Sequence, residues 1–269
     1  MPPSPRKLID TQRGAFTYRE QGTGPALVFL HGIGSGSESW QAQIDSFAEN
    51  YRTIAWDAPG YGGSTSVVSR VPNAAEYADR LEALLDALEI TSCNLVGHSL
   101  GALMACSYAK TRKNRVASLM IASPAAGYGA SSPDVQSQRR ARRLDLLDKL
   151  GPEGLARERH GVLLSDHAPQ WARDRVRKIM GEIHADGYRQ AVELLVCGDI
   201  LSDAKTISLP VTVVVGGADT VTPPDGCEMI ANTFMQSEFK ILPGVGHACY
   251  VEGPEAFNAA LIEHLEEKA

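Results

Sequence analysis

The chain has 269 residues and an acidic balance, with 26 Lys and Arg against 32 Asp and Glu, a formal net charge of −6. This length allows one large α/β domain, and a hydrophobic fraction of 43% is ordinary for a globular protein. The acidic balance argues against nucleic-acid binding, which needs clustered positive charge. No apolar run reaches the roughly 18 residues of a membrane span. Neither a nucleic acid nor a membrane is therefore expected as a partner.

The five cysteines indicate neither a disulfide framework nor a metal site. They are odd in number, widely spaced, and form no Cys-x-x-Cys pair. The N-terminal segment has basic residues but no apolar stretch behind them, which is not the pattern of a secretory signal. We therefore expect a cytoplasmic protein with reduced thiols and without a metal.

Strand and helix signals alternate through the first half of the chain. The continuous apolar run Ala26–Leu30 predicts a strand buried on both faces, and Arg52–Trp56 predicts a second strand. A helix is predicted over 73–88, where apolar residues recur with the 3.6-residue period and where Asn73 and Glu76 suit a capping box. The alternation continues with a strand at 93–96, a helix at 100–110 and a strand at 116–121. This order is typical of a parallel sheet with helices on both faces.

The alternation breaks after residue 123. Between 124 and 198 we predict three helices and no strand: 134–150, 168–184 and 188–196. Beyond this segment we predict a strand at 211–215, a helix at 225–232, a strand at 238–242 and a helix at Pro254–Glu267. One α/β core, residues 1–123 and 199–269, is therefore interrupted by a helical insertion, residues 124–198. The insertion has 12 basic against 10 acidic residues, a net of +2, and the core has 14 against 22, a net of −8.

The segment Gly97-His98-Ser99-Leu100-Gly101 matches the pattern G-x-S-x-G. A predicted strand enters it and a predicted helix leaves it. Such a turn crowds the backbone, so residues without a Cβ are needed beside the serine, which the turn lifts above the sheet. The alternative is a glycine-rich turn with an incidental serine, and the strand–turn–helix context disfavours it. Ser99 is therefore the predicted nucleophile.

A serine is a weak nucleophile without a base. In this architecture the acid and then the histidine follow the serine, each on a loop after a late strand. Asp219 follows the strand at 211–215, and His247 follows the strand at 238–242. We therefore predict a catalytic triad of Ser99, His247 and Asp219. Weaker candidates for the acid are Asp199, Asp203 and Asp225.

A serine attack on a carbonyl also needs backbone donors for the oxyanion. The expected donors are the N–H groups of Leu100, which follows the nucleophile, and of Ile33, in the loop after the first parallel strand. The basic run at 139–143 is interpreted first as a solvated surface, with attraction of an anionic substrate as the alternative. The residues assigned to the substrate pocket are Gly32, His98, Trp171 and Arg143.

These motifs, with the segment His31-Gly32-Ile33-Gly34 and the loop at 57–64, resemble the α/β-hydrolase fold superfamily. The resemblance covers nearly the whole chain and puts the insertion in the position of that fold's helical cap. It implies a mostly parallel sheet with helices on both faces, and a serine hydrolase without a cofactor. Dehalogenases and epoxide hydrolases of this fold are excluded, because they have Asp at the nucleophile position, where this chain has Ser99.

Two serine subfamilies remain close. The segments at 185–199 and 219–224 are similar to 3-oxoadipate enol-lactonases. The meta-cleavage C–C hydrolases share the core, but they usually have Trp directly after the catalytic histidine, where this chain has Ala248. The leading expectation is a monomeric or homodimeric hydrolase of a small ester or lactone, neutral or anionic. The alternatives are C–C cleavage of a vinylogous diketone and a non-catalytic ligand-binding protein on a hydrolase scaffold.

Overall fold

A single eight-stranded sheet organises the computed structural model, which describes residues 3–267. The strands are β1 (Arg6–Thr11), β2 (Gly14–Gln21), β3 (Ala26–Leu30), β4 (Arg52–Trp56), β5 (Cys93–His98), β6 (Val116–Ala122), β7 (Val211–Gly216) and β8 (Ser237–Leu242). Their order across the sheet is β1-β2-β4-β3-β5-β6-β7-β8. The strands β3 to β8 pair in parallel, and β1 and β2 form an antiparallel extension that joins β4. The predicted, mostly parallel α/β sheet is confirmed.

Ten helices accompany the sheet in the described chain. They are α1 (Gln41–Phe47), α2 (Ala74–Ala87), α3 (Leu100–Thr111), α4 (Pro133–Arg159), α5 (Gln170–Gly181), α6 (Ala185–Cys197), α7 (Ile200–Ala204), α8 (Pro224–Ala231), α9 (Cys249–Glu252) and α10 (Pro254–Glu267). The predicted capping box at the start of α2 is present. The Asn73 side chain accepts from the Glu76 N–H, and the Glu76 carboxylate accepts from the Asn73 N–H.

The continuous apolar character of β3 follows from its place in the middle of the sheet. Val28 and Leu30 belong to a buried cluster that contains the apolar sides of α2, α3 and α8. Leu27 and Phe29 point to the other face, where the cluster contains residues of α1 and α10. Because side chains alternate along a strand, a strand covered on both faces is apolar at every position.

Between β6 and β7 the chain forms the long helices α4, α5 and α6, followed by the short α7, and no strand, all within described residues. The prediction ended the first of these helices at residue 150, and the helical backbone is interrupted directly after it; the unpredicted part is a second helical stretch that continues α4 to Arg159. Gly151 has φ 65° and ψ 178° there, and Pro152 follows it. Proline cannot continue the hydrogen-bond ladder, and a positive φ suits glycine, so the two residues redirect the helix. The division into a core and a cap at residues 124 and 198 stays a prediction.

The sequence did not predict the β1–β2 hairpin, α1, α7 or α9. The strand β1 is an edge strand whose residues are exposed or half-buried, so it has no apolar run. The helices α7 and α9 have five and four residues, too few to show a helical period. No helix of residues 3–267 has the length and apolar character that crossing a membrane requires.

Candidate active site

The turn between β5 and α3 holds Ser99 in a strained conformation, with φ 52° and ψ −112°. Its glycines are required by close backbone contacts. A Cβ on Gly97 would lie 2.5 Å from the carbonyl oxygen of Gly101, and a Cβ on Gly101 would lie 2.2 Å from that of Leu30. A non-glycine residue in such a region costs on the order of 1–3 kcal/mol and is typical of functional sites. The predicted nucleophile therefore sits on a turn that the surrounding packing enforces.

The loops after β7 and β8 bring Asp219 and His247 together. The Nδ1 atom of His247 donates to Oδ2 of Asp219 at 2.8 Å, and both side chains are almost fully buried. The other carboxylate oxygen accepts from the backbone N–H groups of Val221 at 2.8 Å and Thr222 at 2.9 Å. Burial alone would raise the pKa of Asp219, but the His247 hydrogen bond and charge, with the Thr222 donors, lower this pKa to about 2. Asp219 is therefore ionised and oriented.

Thr222 is a third member of this cluster, and the sequence did not predict it. Its hydroxyl lies 2.9 Å from Oδ2 of Asp219, 3.1 Å from Nδ1 of His247 and 3.1 Å from the carbonyl oxygen of Ser123. The hydroxyl has one proton for two acceptors, the Asp219 carboxylate and the Ser123 carbonyl, and it lies between the Asp–His pair and the residue that follows β6. The signal in the sequence is only a threonine three residues after the aspartate, a common turn pattern.

His98 holds the backbone of His247. Its Nε2 donates to the carbonyl oxygen of His247 at 2.9 Å, since a carbonyl only accepts, and the two rings lie 4.8 Å apart between centroids. Burial, and then the neighbouring His247, lower the pKa of His98 to about 3. His98 is therefore a neutral donor, and its role in this geometry is to position His247.

A buried carboxylate fixes the other side of the His247 loop. Glu252 accepts from the N–H of Gly246 at 2.9 Å, from the N–H of Ser165 at 3.0 Å, and from the Ser165 hydroxyl. The N–H of Ala248 donates to the carbonyl oxygen of Leu163 at 2.8 Å. The chain that follows α4 is thereby joined to the loop that carries His247.

Ser99 and His247 line one cavity of about 300 Å³, beneath the helices between β6 and β7. The predicted oxyanion donors Ile33 and Leu100 line it as well. Leu100 is the first residue of α3, so its N–H has no acceptor within the helix. The N–H of Ile33 makes no hydrogen bond to the described part of the chain. Both donors are thus available to a ligand.

The structure places only some of the four predicted pocket residues at the cavity. His98 and Arg143 line the cavity. Gly32 does not line the cavity as predicted; it packs against the nucleophile, where a Cβ would lie 3.0 Å from the Ser99 Cβ. The prediction that Trp171 lines the pocket is also wrong, because Trp171 does not line the cavity and is 49% exposed. The buried residues of α5 are Ala172, Val176, Ile179 and Met180, and Trp171 is not among them.

The weaker candidates for the acid are engaged elsewhere or exposed. Asp199 caps α7 by accepting from the N–H of Ser202 at 3.1 Å, and Asp203 pairs with Lys110 at 2.9 Å. Asp225 is an exposed residue in the first turn of α8. Among residues 3–267, no three His, Cys, Asp or Glu side chains gather closely enough to hold a metal ion.

The sheet order, the serine turn and the placement of the Asp–His pair define a class of protein. Residues 25–254 match the family model of the alpha/beta hydrolase fold, which is most of the chain. The chain belongs to this family.

Similar proteins of the family are named as hydrolases. A 3-oxoadipate enol-lactonase of Acinetobacter baylyi is 27% identical over 240 residues, which cover 88% of this chain and 87% of that protein. A protein of Stutzerimonas stutzeri, provisionally named a carbamate hydrolase, is 27% identical and covers 91% and 92% of the two chains. The solved structure of a thermophilic esterase from Thermogutta terrifontis with malate bound is 26% identical, with a TM-score of 0.86 and coverage of 98% and 99%.

Proposed function

We propose that the protein is a serine hydrolase of small carboxylic esters or lactones that needs no cofactor. Ser99 is the nucleophile, His247 the general base and acid, and Asp219 the group that orients His247. The observation that carries this proposal is the 2.8 Å hydrogen bond from His247 Nδ1 to Asp219, since His247 and Ser99 line the same cavity. Because Nδ1 is engaged by Asp219, Nε2 is the nitrogen left to take the serine proton.

The reaction follows from these roles. Ser99 Oγ attacks the carbonyl carbon while its proton passes to Nε2 of His247, and the N–H groups of Ile33 and Leu100 stabilise the oxyanion. His247 then gives the proton to the leaving alkoxide, which departs as an alcohol. Water attacks the acyl group on Ser99 with His247 as the base again, and the carboxylic acid is released. In a lactone the alcohol and acid parts stay in one product.

The size of the cavity and the names of the relatives favour a small substrate. A volume of about 300 Å³ lies at the lower end for ligand pockets. Two of the three similar proteins act, by name, on an enol-lactone and on esters, and the third is provisionally named a carbamate hydrolase. No observation raises C–C hydrolysis above this proposal, since Ala248 follows His247 where the C–C enzymes usually carry Trp.

A substrate panel tests the proposal. Short p-nitrophenyl esters, an enol-lactone, an alkyl carbamate and a vinylogous diketone are each incubated with the wild type and with Ser99→Ala. We expect turnover of the ester or lactone by the wild type and a loss on the order of 10⁶ in Ser99→Ala, as for a nucleophile removed from a serine protease. Turnover of the diketone alone would favour C–C hydrolysis. Binding without turnover of any member would favour a non-catalytic ligand-binding protein.

A further inference from the structure

The cavity beside Ser99 carries positive charge and no negative charge. Arg143 and Arg159 are among the described residues that line it, and none of those residues is Asp or Glu. Asp219, the nearest carboxylate of the site, is held behind His247 and does not line the cavity. Much of the remaining wall is apolar, formed by residues such as Leu155, Ile179, Met180 and Val176. A ligand here therefore faces two guanidinium groups on a largely apolar wall.

Neither arginine has an ion-pair or hydrogen-bond partner in the part of the chain that the structure describes. Within residues 3–267, Arg143 and Arg159 make no ion pair and no side-chain hydrogen bond, although both are half-buried. Their neighbour Arg140 differs: it binds Glu193 through three hydrogen bonds of 2.8–3.0 Å. Arg173 likewise donates to three backbone carbonyls. A partly desolvated charge without a partner is unfavourable, so two of them at one cavity suit an anionic ligand.

The kink of α4 brings these two arginines together. They are sixteen residues apart, which on a straight helix would separate them by about 24 Å. The break at Gly151 and Pro152 turns the second half of the helix, and both side chains reach the same cavity. Burial and then the charge of Arg143 lower the pKa of Arg159, as expected when two cations lie close together. The sequence predicts Arg143 in the pocket but not Arg159, because no helical stretch was predicted directly beyond residue 150.

We propose that Arg143 and Arg159 form a carboxylate-binding subsite, and that the substrate is an ester or lactone bearing a free carboxylate. This inference rests on the proposed hydrolase function for the reacting carbonyl. A guanidinium group binds a carboxylate through two parallel hydrogen bonds, which fixes the position of the ligand as well as its charge. The carboxylate would relieve the repulsion between the two arginines, and the ester group would lie toward Ser99.

Two esters that differ in one charge test the subsite. Monoethyl glutarate carries a carboxylate and diethyl glutarate does not, and a pH-stat follows the hydrolysis of both. We expect the wild type to prefer the monoester by about tenfold or more in kcat/KM, since hydrogen bonds to charged groups discriminate at that level. Arg143→Gln and Arg159→Gln should each lower kcat/KM for the monoester about tenfold, mainly through KM, and leave the diester within about threefold.

Matched controls lie on the same helix. Arg142 and Arg157 are exposed neighbours of the two arginines and do not line the cavity. Arg142→Gln and Arg157→Gln should leave the ratio of the two esters unchanged. If all four variants change both esters equally, the subsite does not exist.

A binding measurement separates this inference from the hydrolase proposal. Calorimetry with glutarate and with inorganic phosphate is performed on Ser99→Ala, alone and combined with Arg143→Gln or Arg159→Gln. We expect glutarate to bind Ser99→Ala and to bind at least about tenfold more weakly when either arginine is replaced. If neither arginine replacement weakens glutarate binding, the subsite is overturned. If Ser99→Ala binds phosphate more tightly than glutarate, the assignment to a carboxylate is overturned. If glutarate binds as expected but the wild type hydrolyses neither ester, the hydrolase proposal fails and the subsite stands.

Discussion

The Asp219→Asn variant tests the Asp–His pair through both rate and stability. An asparagine amide can donate to Nδ1 of His247, which would put the ring proton on Nε2, where it cannot accept the proton of Ser99. In a serine protease the same change costs about 10⁴ in kcat. We expect a loss of that order in ester turnover, measured as kcat/KM by p-nitrophenol release, with a native far-UV spectrum.

The stability effect can be worked out from the pKa of Asp219. This pKa is about 2 in the folded chain, against 3.8 for an ordinary aspartate. At 1.36 kcal/mol per pH unit, the ionised carboxylate stabilises the fold by on the order of 2 kcal/mol. Because the folded pKa is the lower one, this contribution is fully present above pH 3.8 and is lost as the pH falls toward 2. Asp219→Asn lacks it at every pH.

The wild type and Asp219→Asn should therefore differ in the free energy of urea unfolding by an amount that depends on pH. The difference in unfolding free energy should narrow as the pH falls below about 4, because Asp219 becomes protonated there. The control is Asp225→Asn, which removes an exposed carboxylate and should change turnover less than twofold. A difference that grows on acidification, or an Asp219→Asn variant with wild-type turnover, would refute the assignment of the acid.

Three further variants test the surroundings of the site. Thr222→Val removes the hydroxyl beside Asp219 and His247, and kcat should fall about tenfold with KM unchanged in steady-state assays. Glu252→Gln takes one carboxylate oxygen from the Gly246 and Ser165 donors, and urea unfolding should show a loss of about 1–3 kcal/mol. Gly101→Ala would put a Cβ 2.2 Å from a backbone oxygen, so thermal unfolding should show a loss of several kcal/mol. The matched Gly161→Ala meets nothing within 4 Å and should be neutral.

The sequence predicts the parallel half of the fold well because burial leaves a simple pattern there. The strands β3 to β7 are apolar runs between helices with a 3.6-residue period, and both patterns can be read locally. The hairpin of β1 and β2 and the kink of α4 lack such a pattern. The edge strand β1 is exposed or half-buried. A glycine followed by a proline predicts the end of a helix, but the chain is helical again beyond Gly151.

Some residues of the candidate site can likewise be predicted from a local sequence pattern, and others cannot. Ser99 can be found because its glycines are required by local backbone contacts that form a motif. Asp219 and His247 can be found because each follows a late strand. Thr222, Glu252 and Arg159 could not be found, since their roles depend on contacts between segments far apart in the chain.

Covalent labelling of the nucleophile tests the central proposal most directly. The protein is treated with diethyl p-nitrophenyl phosphate, p-nitrophenol release is followed, and the labelled peptide is identified by mass spectrometry. We expect one adduct per chain, on Ser99, with ester hydrolysis lost in proportion to labelling and no adduct on Ser99→Ala. An adduct on another residue that tracks the loss of activity, or full activity in a chain labelled at Ser99, would contradict it.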